Sequence, residues 1–469
     1  SSVITKTLNW AGQHLSDPLS IANCFNNFFV TVGRKLAERF KQQTLTLQCP
    51  TVYRQISSTF QFKQVNDHSV YNKLSTLSNN KATGLDRIHS RLLKAAAPCI
   101  CKPVAHIFNM SLSSGHIPKE WKRARVTPIH KGGDQDDPNN YRPISVLPVI
   151  MKAFEKEVHG QFLEYLHKHQ ILATQQSGFR PGHSTATTLL DATDYMLHNI
   201  SNGKLVGAVF LDLKKAFDTV DQNVLLQKLS WVGVQGVELH WFTDYLAGRE
   251  QTVSLNGCES DFLPVTLGVP QGSILPPLLF ILYINDLSSS VSTVCKVCLY
   301  ADDTAIFCSS KDARVIENTL NSELANLATW LHSNRLTLNV AKTKWILFGG
   351  SGKLRAVPPL RIQIDQETVE QVYQFKYLGV LLDCNISWNE HIDMVCSKVS
   401  QRIGLLRRLR SCLTVNIASM LYRSMILPLL EYCDIVWENC NITKQRQLQV
   451  LQNRAARVIL QMKRRSSVQ

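Results

Sequence analysis

The sequence lacks the long apolar segments and the N-terminal leader that mark membrane and secreted proteins. No apolar run approaches the roughly 18 residues that a membrane-spanning helix needs. The N-terminus, SSVITKTLNWAGQHL, does not have the shape of a signal peptide, and it lacks an initiator Met. We therefore expect a protein without a membrane span, and we expect the sequence to be a fragment of a longer chain.

The sequence also lacks the paired cysteine motifs of zinc modules and disulfide scaffolds. Its 13 cysteines are scattered over 469 residues, and an odd number in a large apolar protein predicts reduced thiols inside a cell. Cys295 and Cys298 form the only C-x-x-C, and no second Cys/His pair accompanies them. We favour core thiols over zinc ligands at these two positions.

Acidic residues are few relative to basic ones. The sequence has 36 Asp and Glu against 51 Lys and Arg, which gives a net charge of +15 and a pI near 9.2. Residues 401–469 alone hold twelve basic and three acidic residues, and so carry nine of the fifteen net charges. This excess indicates a nucleic acid or an anionic surface as partner. The length and the 44% hydrophobic content are typical of a globular protein with two or three lobes.

Two adjacent aspartates lie inside an apolar stretch, VCKVCLYADDTAIFC. The surrounding residues predict two β-strands that meet at a tight turn, with Asp302 and Asp303 at its tip. Carboxylates cost free energy in such a setting unless they are paired or bind a cation, and adjacent carboxylate oxygens suit Mg²⁺. The alternative is a solvated, Asp-rich turn.

A second carboxylate segment precedes this turn by about ninety residues. The apolar run 206–211 has strand length and ends at Asp212, and Asp218 follows in a helix-like stretch. If the two segments form neighbouring strands, Asp212, Asp302 and Asp303 come together on one sheet. Three such carboxylates are the ligand set for two divalent ions.

The ordered motifs LDLKKAFDTV, GVPQGSILPPLLFILYINDL and YADD resemble the palm of a reverse transcriptase. The sequence is most similar to the reverse transcriptases of non-LTR (LINE-type, jockey/CR1/L2-like) retrotransposons, from about residue 70 to at least residue 390. Several ordered motifs are more specific than one short pattern. Group II intron maturases share the PQG and YADD elements, but the C-terminal binding module that they would carry is not evident here.

The resemblance implies an α+β right-hand polymerase fold with fingers, a palm of antiparallel sheet plus helices, and a helical thumb. It implies an N-terminal extension at 1–60, fingers at 61–205, a palm at 206–388 and a basic thumb or C-terminal region at 389–469. It also implies an RNA-directed DNA polymerase, a nucleotidyltransferase that extends a DNA 3′-hydroxyl with dNTPs by two-metal catalysis. The cofactor would be Mg²⁺, with Mn²⁺ as the alternative, and the partners an RNA template and a DNA primer. We expect an intracellular, nuclear protein, and we expect any endonuclease of the parent element to lie outside residues 1–469.

Site residues follow from the same resemblance. Asp212, Asp302 and Asp303 would bind the metals, and Lys344, or else Lys342, would protonate the leaving pyrophosphate. The substrate-binding residues would be Lys131 and Arg142 on the triphosphate, Gln271 beside the sugar, Phe217 against a ribose 2′-hydroxyl, and Tyr300. The nucleic-acid-binding residues would be Arg180, His183, Arg407, Arg408 and Arg410. Arg and Lys suit phosphate oxygens, as a planar fork and a point charge respectively. The alternatives are a solvated basic hairpin for Lys131 and Arg142, core packing for Phe217, and a solvated basic face for the thumb helix.

One position departs from the family pattern. The family has SILGPLLF where this sequence has SILPPLLF, so Pro276 replaces a Gly and precedes Pro277. We place the following helix at 278–287 and expect the two prolines to reduce activity by fixing the backbone and removing an amide. A decayed or domesticated copy, which keeps the fold and binds nucleic acid without catalysis, is therefore the alternative function.

Further elements follow from local patterns. We expect an amphipathic helix around residues 21–40 and a hairpin made by RVTPIHK and YRPISVL. Asp86 is predicted to cap the helix of SRLLKAA. A helix is expected over 317–339, and the 375–383 segment resembles the primer-grip hairpin.

Overall fold

The structure, a computed structural model, describes residues 7–10, 12–38, 49–50, 53 and 58–462. The helices, in chain order, are α1 Pro18–Ala37, α2 Asp67–Ser75, α3 Ser90–Ser114, α4 Val149–Lys168, α5 Thr185–Ser201, α6 Gln222–Trp231, α7 Gly236–Leu246, α8 Leu275–Tyr283, α9 Ala313–Ser333, α10 Ser351–Ala356, α11 Asn389–Leu409, α12 Val415–Met425, α13 Leu427–Glu431, α14 Asp434–Trp437 and α15 Ile442–Ile459. The strands are β1 Leu8–Trp10, β2 Gln13–Leu15, β3 Arg123–His130, β4 Tyr141–Val146, β5 Leu205–Leu211, β6 Arg249–Leu255, β7 Cys258–Glu259, β8 Leu263–Val265, β9 Lys296–Tyr300, β10 Asp303–Ser310, β11 Lys344–Phe348, β12 Gln363–Ile364, β13 Glu367–Thr368, β14 Glu370–Gln371, β15 Gln374–Tyr377 and β16 Val380–Asp383. Parts of the predicted N-terminal extension and of the basic C-terminal region lie outside the described residues.

The chain divides into two compact units, each built from discontinuous segments. The first unit comprises Ser1–Phe179, Leu213–Ser290 and Leu327–Leu338, and the second comprises Arg180–Asp212, Val291–Asn326 and Asn339–Gln469. Both units mix helices with strands, which makes this a mixed α/β protein. Within the part of the chain that the structure describes, no helix is both long enough and apolar enough to span a bilayer.

A sheet with the strand order β4-β3-β6-β7 lies in the first unit, with β8 paired to β6. Strands β3 and β4 form the predicted hairpin, in register from Arg125 opposite Val146 to His130 opposite Tyr141. Helix α1 packs on this sheet through its buried phenylalanines, which share a core with Val126 and Val253. The amphipathic helix is thus confirmed, and it begins at Pro18 because the Asp17 carboxylate accepts the Ser20 amide.

Helix α8 begins three residues earlier than predicted, at Leu275. Pro276 and Pro277 therefore occupy its first turn, where amides have no intrahelical acceptor and a fixed φ favours the helix. The buried Glu155 carboxylate accepts the backbone amide of Ile274 just before this turn, at 2.9 Å. The prolines fit the local structure, so the backbone conflict that we expected is absent.

The predicted Asp86 cap is wrong. Helix α3 begins at Ser90 with His89 at the N-cap, and the His89 side chain makes no capping hydrogen bond. Asp86 instead accepts the backbone amide of Ile88, at 3.2 Å, in the turn before the helix. The local pattern could not distinguish a cap from an Asp turn three residues earlier, because both place a carboxylate beside a nearby amide.

The second unit is built on a five-stranded sheet with the order β14-β11-β5-β10-β9. Its central strand, β5, is buried along its whole length and is antiparallel to both β10 and β11. Alternate residues of β5 share a core with Leu189 and Met196 of α5. The predicted hairpin at 375–383 is confirmed as β15 and β16, and Phe375 stacks on Phe210 with ring centroids 4.5 Å apart.

The C-terminal part of the second unit is helical, as predicted. Helices α11, α12, α13 and α15 surround an apolar core that includes Val399, Ile403, Leu406 and Ala455. Two further predictions concern the segments on either side of YADD. The helix expected over 317–339 is α9, which ends at Ser333. Cys298 is a buried, free thiol of the strand before YADD, and Cys295 is a buried, free thiol directly before that strand.

Candidate active site

Two of the three predicted metal-binding aspartates face each other across neighbouring strands of the second unit. Asp303 begins β10 and Asp212 follows the last residue of β5. Leu211 pairs with Thr304 in antiparallel register, so the next residue along the chain, Asp212, lies opposite the residue before Thr304, which is Asp303. Directly opposed residues project from the same face of a sheet, and the two carboxylates therefore share one face.

The third aspartate lies in the turn that joins β9 to β10. Tyr300 pairs with Asp303, which leaves Ala301 and Asp302 as a two-residue hairpin loop. Ala301 has a φ of +55°, a left-handed conformation that costs a non-glycine residue roughly 1–2 kcal/mol. Asp302 is half-buried. The predicted strand–turn–strand arrangement of YADD is confirmed. Asp302 lies in its loop, directly before Asp303, whose side chain shares one face of the sheet with those of Asp212 and Tyr300.

The orientation of Asp212 depends on two residues to which we assigned no role, Asn339 and Thr343. The side-chain amide of Asn339 donates to Asp212 Oδ2 at 2.8 Å, and the Asn339 backbone amide donates to the Asp212 carbonyl at 2.7 Å. The hydroxyl of the buried Thr343 accepts the Asp212 backbone amide at 3.3 Å. One oxygen of the Asp212 carboxylate is thus held by an amide, which restricts the side chain.

An open cavity of about 800 Å³ lies over this face. Asp212, Asp303, Lys342 and Lys344 line it together with the β15–β16 hairpin. The Lys344 ammonium donates to the Ala341 carbonyl at 2.7 Å and forms an ion pair with Glu370. Lys342 is exposed in the same cavity. Both predicted candidates for the leaving-group acid therefore line the carboxylate cavity.

The donor set fits a hard divalent cation. Carboxylate oxygens are the ligands that Mg²⁺ prefers, and Mg²⁺ is commonly held by one or two carboxylates together with substrate phosphates. Asp212 and Asp303 supply two carboxylates to one cavity. Within residues 58–462 and the shorter described stretches before them, no three His, Cys, Asp or Glu side chains are grouped closely enough to hold a metal by themselves. The structure thus brings Asp212 and Asp303 together in one cavity, and Asp302 lies in the hairpin loop directly before Asp303.

The predicted nucleotide-binding residues lie in the first unit, apart from Tyr300. Gln271 donates from Nε2 to Asp218 Oδ1 at 2.7 Å, and its carbonyl accepts the Ser145 amide at 2.7 Å. Burial raises the pKa of Asp218 to about 6, and the nearby Lys215, the Gln271 bond and Lys131 oppose this rise. Asp218 is a functional candidate that we placed in a helix without assigning it a role.

The other nucleotide residues occupy different environments. Lys131 and Arg142 are exposed on the β3–β4 hairpin, where a phosphate could reach them. Phe217 is half-buried and stacks on Phe280, with centroids 4.4 Å apart. One face of the Phe217 ring therefore packs on Phe280, and a sugar would contact the part of the ring that remains exposed.

The predicted template residues lie in the loop before α5. His183 is exposed, and its backbone amide donates to the Arg180 carbonyl. Arg180 is half-buried, and burial lowers the pKa of its guanidinium. The loop is held against α5 by a capping box, in which Ser184 and Thr187 exchange hydrogen bonds.

The three arginines of the predicted thumb face differ. Arg407 and Arg408 are exposed on the last turn of α11. Arg410 is 8% exposed, and its guanidinium donates to the carbonyls of Ile459 and Leu413. The expectation of one continuous basic face is wrong at Arg410, because its guanidinium is directed into the helical core. There it links the end of α11 to α15 through the Ile459 carbonyl.

Comparison with known proteins places these observations in a family. The model of the family described as reverse transcriptase (RNA-dependent DNA polymerase) matches residues 129–382, more than half of the chain. Among curated proteins, a probable RNA-directed DNA polymerase from transposon BS of Drosophila melanogaster is 29% identical over 93% of this chain and 49% of its own length. The RNA-directed DNA polymerase from mobile element jockey of the same organism is 27% identical over 82% of this chain and 43% of its own length.

A probable RNA-directed DNA polymerase from transposon X-element, also of Drosophila melanogaster, is 29% identical over 81% of this chain and 42% of its own length. The chain thus spans about half the length of these curated relatives, or less. Members of this family generally depend on divalent metal ions. The predicted resemblance is confirmed: the chain belongs to the reverse transcriptase (RNA-dependent DNA polymerase) family, with relatives among LINE-type retrotransposons.

Proposed function

We propose that this chain is an RNA-directed DNA polymerase that extends a DNA 3′-hydroxyl with dNTPs on an RNA template. The observation that carries the proposal is the register of β5 and β10, which sets Asp212 opposite Asp303 at the edge of an open cavity. The similarity to transposon RNA-directed DNA polymerases supports the same reaction. We assign the sheet of the second unit to a palm, the β3–β4 hairpin to fingers and helices α11–α15 to a thumb.

In this proposal Asp212, Asp302 and Asp303 bind Mg²⁺, with Mn²⁺ as a substitute. Ions held by these carboxylates would lower the pKa of the primer hydroxyl and would offset the charge that develops on the pyrophosphate. Asn339 holds Asp212 in place through its side-chain amide. Lys344 or Lys342 gives a proton to the pyrophosphate as the bond between the α- and β-phosphates breaks and the new phosphodiester forms.

Lys131 and Arg142 bind the triphosphate, because both cations are exposed on the hairpin and Arg can fork onto two phosphate oxygens. Gln271 and Phe217 contact the sugar, and we also assign a substrate-binding role to Tyr300. Arg180 and His183 contact the template, while Arg407 and Arg408 follow the duplex backbone. We place the activity in the nucleus of the cell, in keeping with an enzyme of a transposable element.

A primer-extension assay tests the proposal. The protein is given a DNA primer annealed to a heteropolymeric RNA template, the four dNTPs and Mg²⁺, and we expect extension that EDTA abolishes. Asp303→Asn is the inactive comparison, because it removes one cavity carboxylate and keeps the side-chain shape.

Binding of the primer-template without extension, in both Mg²⁺ and Mn²⁺, would overturn the proposal. It would favour the alternative of a nucleic-acid-binding protein that has lost catalysis.

A further inference from the structure

The strongest unexplained feature of the first unit is the contact between Asp218 and Gln271. Gln271 belongs to the PQG motif, whereas Asp218 lies in the short 3₁₀ turn Ala216–Asp218 after β5. The two side chains are 53 residues apart in sequence and 2.7 Å apart in space. A glutamine amide has an accepting end and a donating end, and this bond fixes which end faces the carboxylate.

We propose that Asp218 is a positioning residue for the incoming nucleotide, which orients the Gln271 amide so that its carbonyl oxygen faces the sugar. This inference rests on the proposed polymerase function and adds to it a determinant of nucleotide binding. Asp218 acts through Gln271 and does not itself touch the substrate.

The chemistry of the pair supports one orientation. Burial raises the pKa of Asp218 to about 6, so at neutral pH its carboxyl is mainly ionised and can only accept hydrogen bonds. The Gln271 NH₂ group must then face Asp218. Its Oε1 points away from the carboxylate and remains available to accept a hydrogen bond from a nucleotide hydroxyl.

The backbone around Asp218 is held from two sides. Gly268 has a φ of +80°, and a Cβ there would lie 2.8 Å from the Phe217 carbonyl and 2.9 Å from Asp218 Cα. A Cβ at Gly33 of α1 would lie 2.2 Å from the Asp218 carbonyl oxygen. Both glycines permit close approach of the backbone, so α1 and the turn before PQG press directly on the segment that carries Asp218.

The Gln271 backbone is fixed as well. Its carbonyl accepts the Ser145 amide of β4, and Val269 donates its amide to the Phe217 carbonyl at 3.0 Å. With both backbones anchored, the remaining freedom of Gln271 is the rotation of its side chain. The bond to Asp218 removes that freedom, and a side chain that is already oriented loses less entropy when substrate binds.

Lys131 and Lys215 explain how a carboxylate can lie near a triphosphate site. Both lysines lower the pKa of Asp218 by their positive charge. Lys215 also donates to the Asn139 and Tyr141 carbonyls, at 3.2 and 3.1 Å. The negative charge of Asp218 is therefore partly offset before a nucleotide arrives.

A double-mutant cycle on the whole chain tests the proposal. The variants are Asp218→Ala, Gln271→Ala and the pair together, and steady-state kinetics give KM for dNTP and kcat. We expect Asp218→Ala to raise KM by about 10- to 100-fold, as for the loss of a hydrogen bond to a charged group. We expect the affinity for primer-template to stay unchanged and Asp218→Ala to have little further effect once Gln271 is Ala.

Two further variants separate positioning from folding. Asp218→Asn keeps the volume and can still accept through Oδ1, so we expect it to recover part of the lost affinity. Asp261→Ala removes an exposed carboxylate of the same unit and should leave KM unchanged. Thermal melting of every variant shows whether the fold is retained.

Equilibrium binding of dNTP to a complex with a dideoxy-terminated primer provides a readout that needs no catalysis. If wild type binds dNTP in that complex but does not extend primers, the proposed function fails while the cycle can still be measured. Losses that multiply in the double variant would overturn the positioning role, since Asp218 would then act independently of Gln271. An unchanged nucleotide affinity in Asp218→Ala would overturn it too.

Discussion

At the scale of single residues, the candidate catalytic centre depends on the register between β5 and β10 and not on any one side chain. Asp212 comes opposite Asp303 because Leu211 pairs with Thr304, and a shift by one residue would move one of the carboxylates to the other face. The strand β5 is buried along its whole length, so such a shift would also move each of its side chains into the packing of the opposite face. The carboxylates therefore stay together because the core on both faces of the strand is specific.

The first prediction concerns these carboxylates. Replacing Asp212, Asp302 or Asp303 by Ala should reduce primer extension to background, because each removes oxygen ligands from the proposed metal site. The melting temperature should change little, since Asp302 and Asp303 lie at a hairpin tip. Asp261→Ala is the matched control. Activity of Asp302→Ala within about tenfold of wild type would show that the metal site does not use this residue.

The second prediction concerns Phe217. Phe217→Val should raise ribonucleotide incorporation relative to deoxyribonucleotide by about tenfold or more, because a smaller side chain leaves room for a 2′-hydroxyl. It should also lower the free energy of unfolding by about 1–2 kcal/mol, through the lost stacking on Phe280. Phe179→Val, at a neighbouring ring that is 48% exposed, is the control. A variant that is active with unchanged sugar selection would return Phe217 to a packing role.

The local sequence could predict some of these residues and not others. Asp212, Asp302 and Asp303 lie at the ends of apolar runs, and a charged residue there is visible without a structure. Asn339 and Glu155 carry no such signal, because their partners lie 127 and 119 residues away. Arg410 was misassigned since alternation of Leu and Arg indicates a helix face but does not reveal that another helix covers one of its arginines.

At the scale of elements, the two prolines of α8 show how position decides the effect of a residue type. The same Pro-Pro pair would break a helix in its interior, but here it lies in the first turn. Most helices and hairpins could be predicted from periodicity and turn residues. Their ends were less predictable, because a cap such as His89 of α3 leaves no side-chain signal.

The third prediction follows from that position. Pro276→Gly, which restores the residue usual in the family, should lower the free energy of unfolding by about 0.5–1 kcal/mol, because glycine adds freedom to the unfolded chain. Primer extension should not increase, since the proline does not disturb the helix. Denaturant unfolding and primer extension measure the two effects. A large gain of activity in Pro276→Gly would mean that the proline impairs this copy.

At the scale of the whole molecule, charge is distributed unevenly. Nine of the fifteen net positive charges belong to residues 401–469. Composition predicts an anionic partner from this excess but cannot tell which cations reach solvent. The structure separates them, with Arg407 and Arg408 exposed and Arg410 buried.

The last prediction uses that difference. Binding of a primer-template releases counterions for each phosphate contact, so the logarithm of affinity should fall with the logarithm of salt by about 0.9 per contact on a B-form duplex, with a similar trend on a hybrid. Replacing Arg407 and Arg408 by Ala should flatten this slope by up to about two units, and it should weaken binding of all sequences alike. The chemical step in a pre-bound complex should be nearly unaffected, because neither arginine lines the carboxylate cavity. Arg410→Ala is the internal comparison. It should leave the salt slope unchanged but lower the free energy of unfolding by about 1–3 kcal/mol, because the carbonyls of Ile459 and Leu413 lose a charged donor. If the salt slope of the Arg407/Arg408 double variant is unchanged, this face is merely solvated and the duplex is held elsewhere. If Arg410→Ala alone changes the slope, the Arg410 guanidinium leaves the helical core when nucleic acid binds.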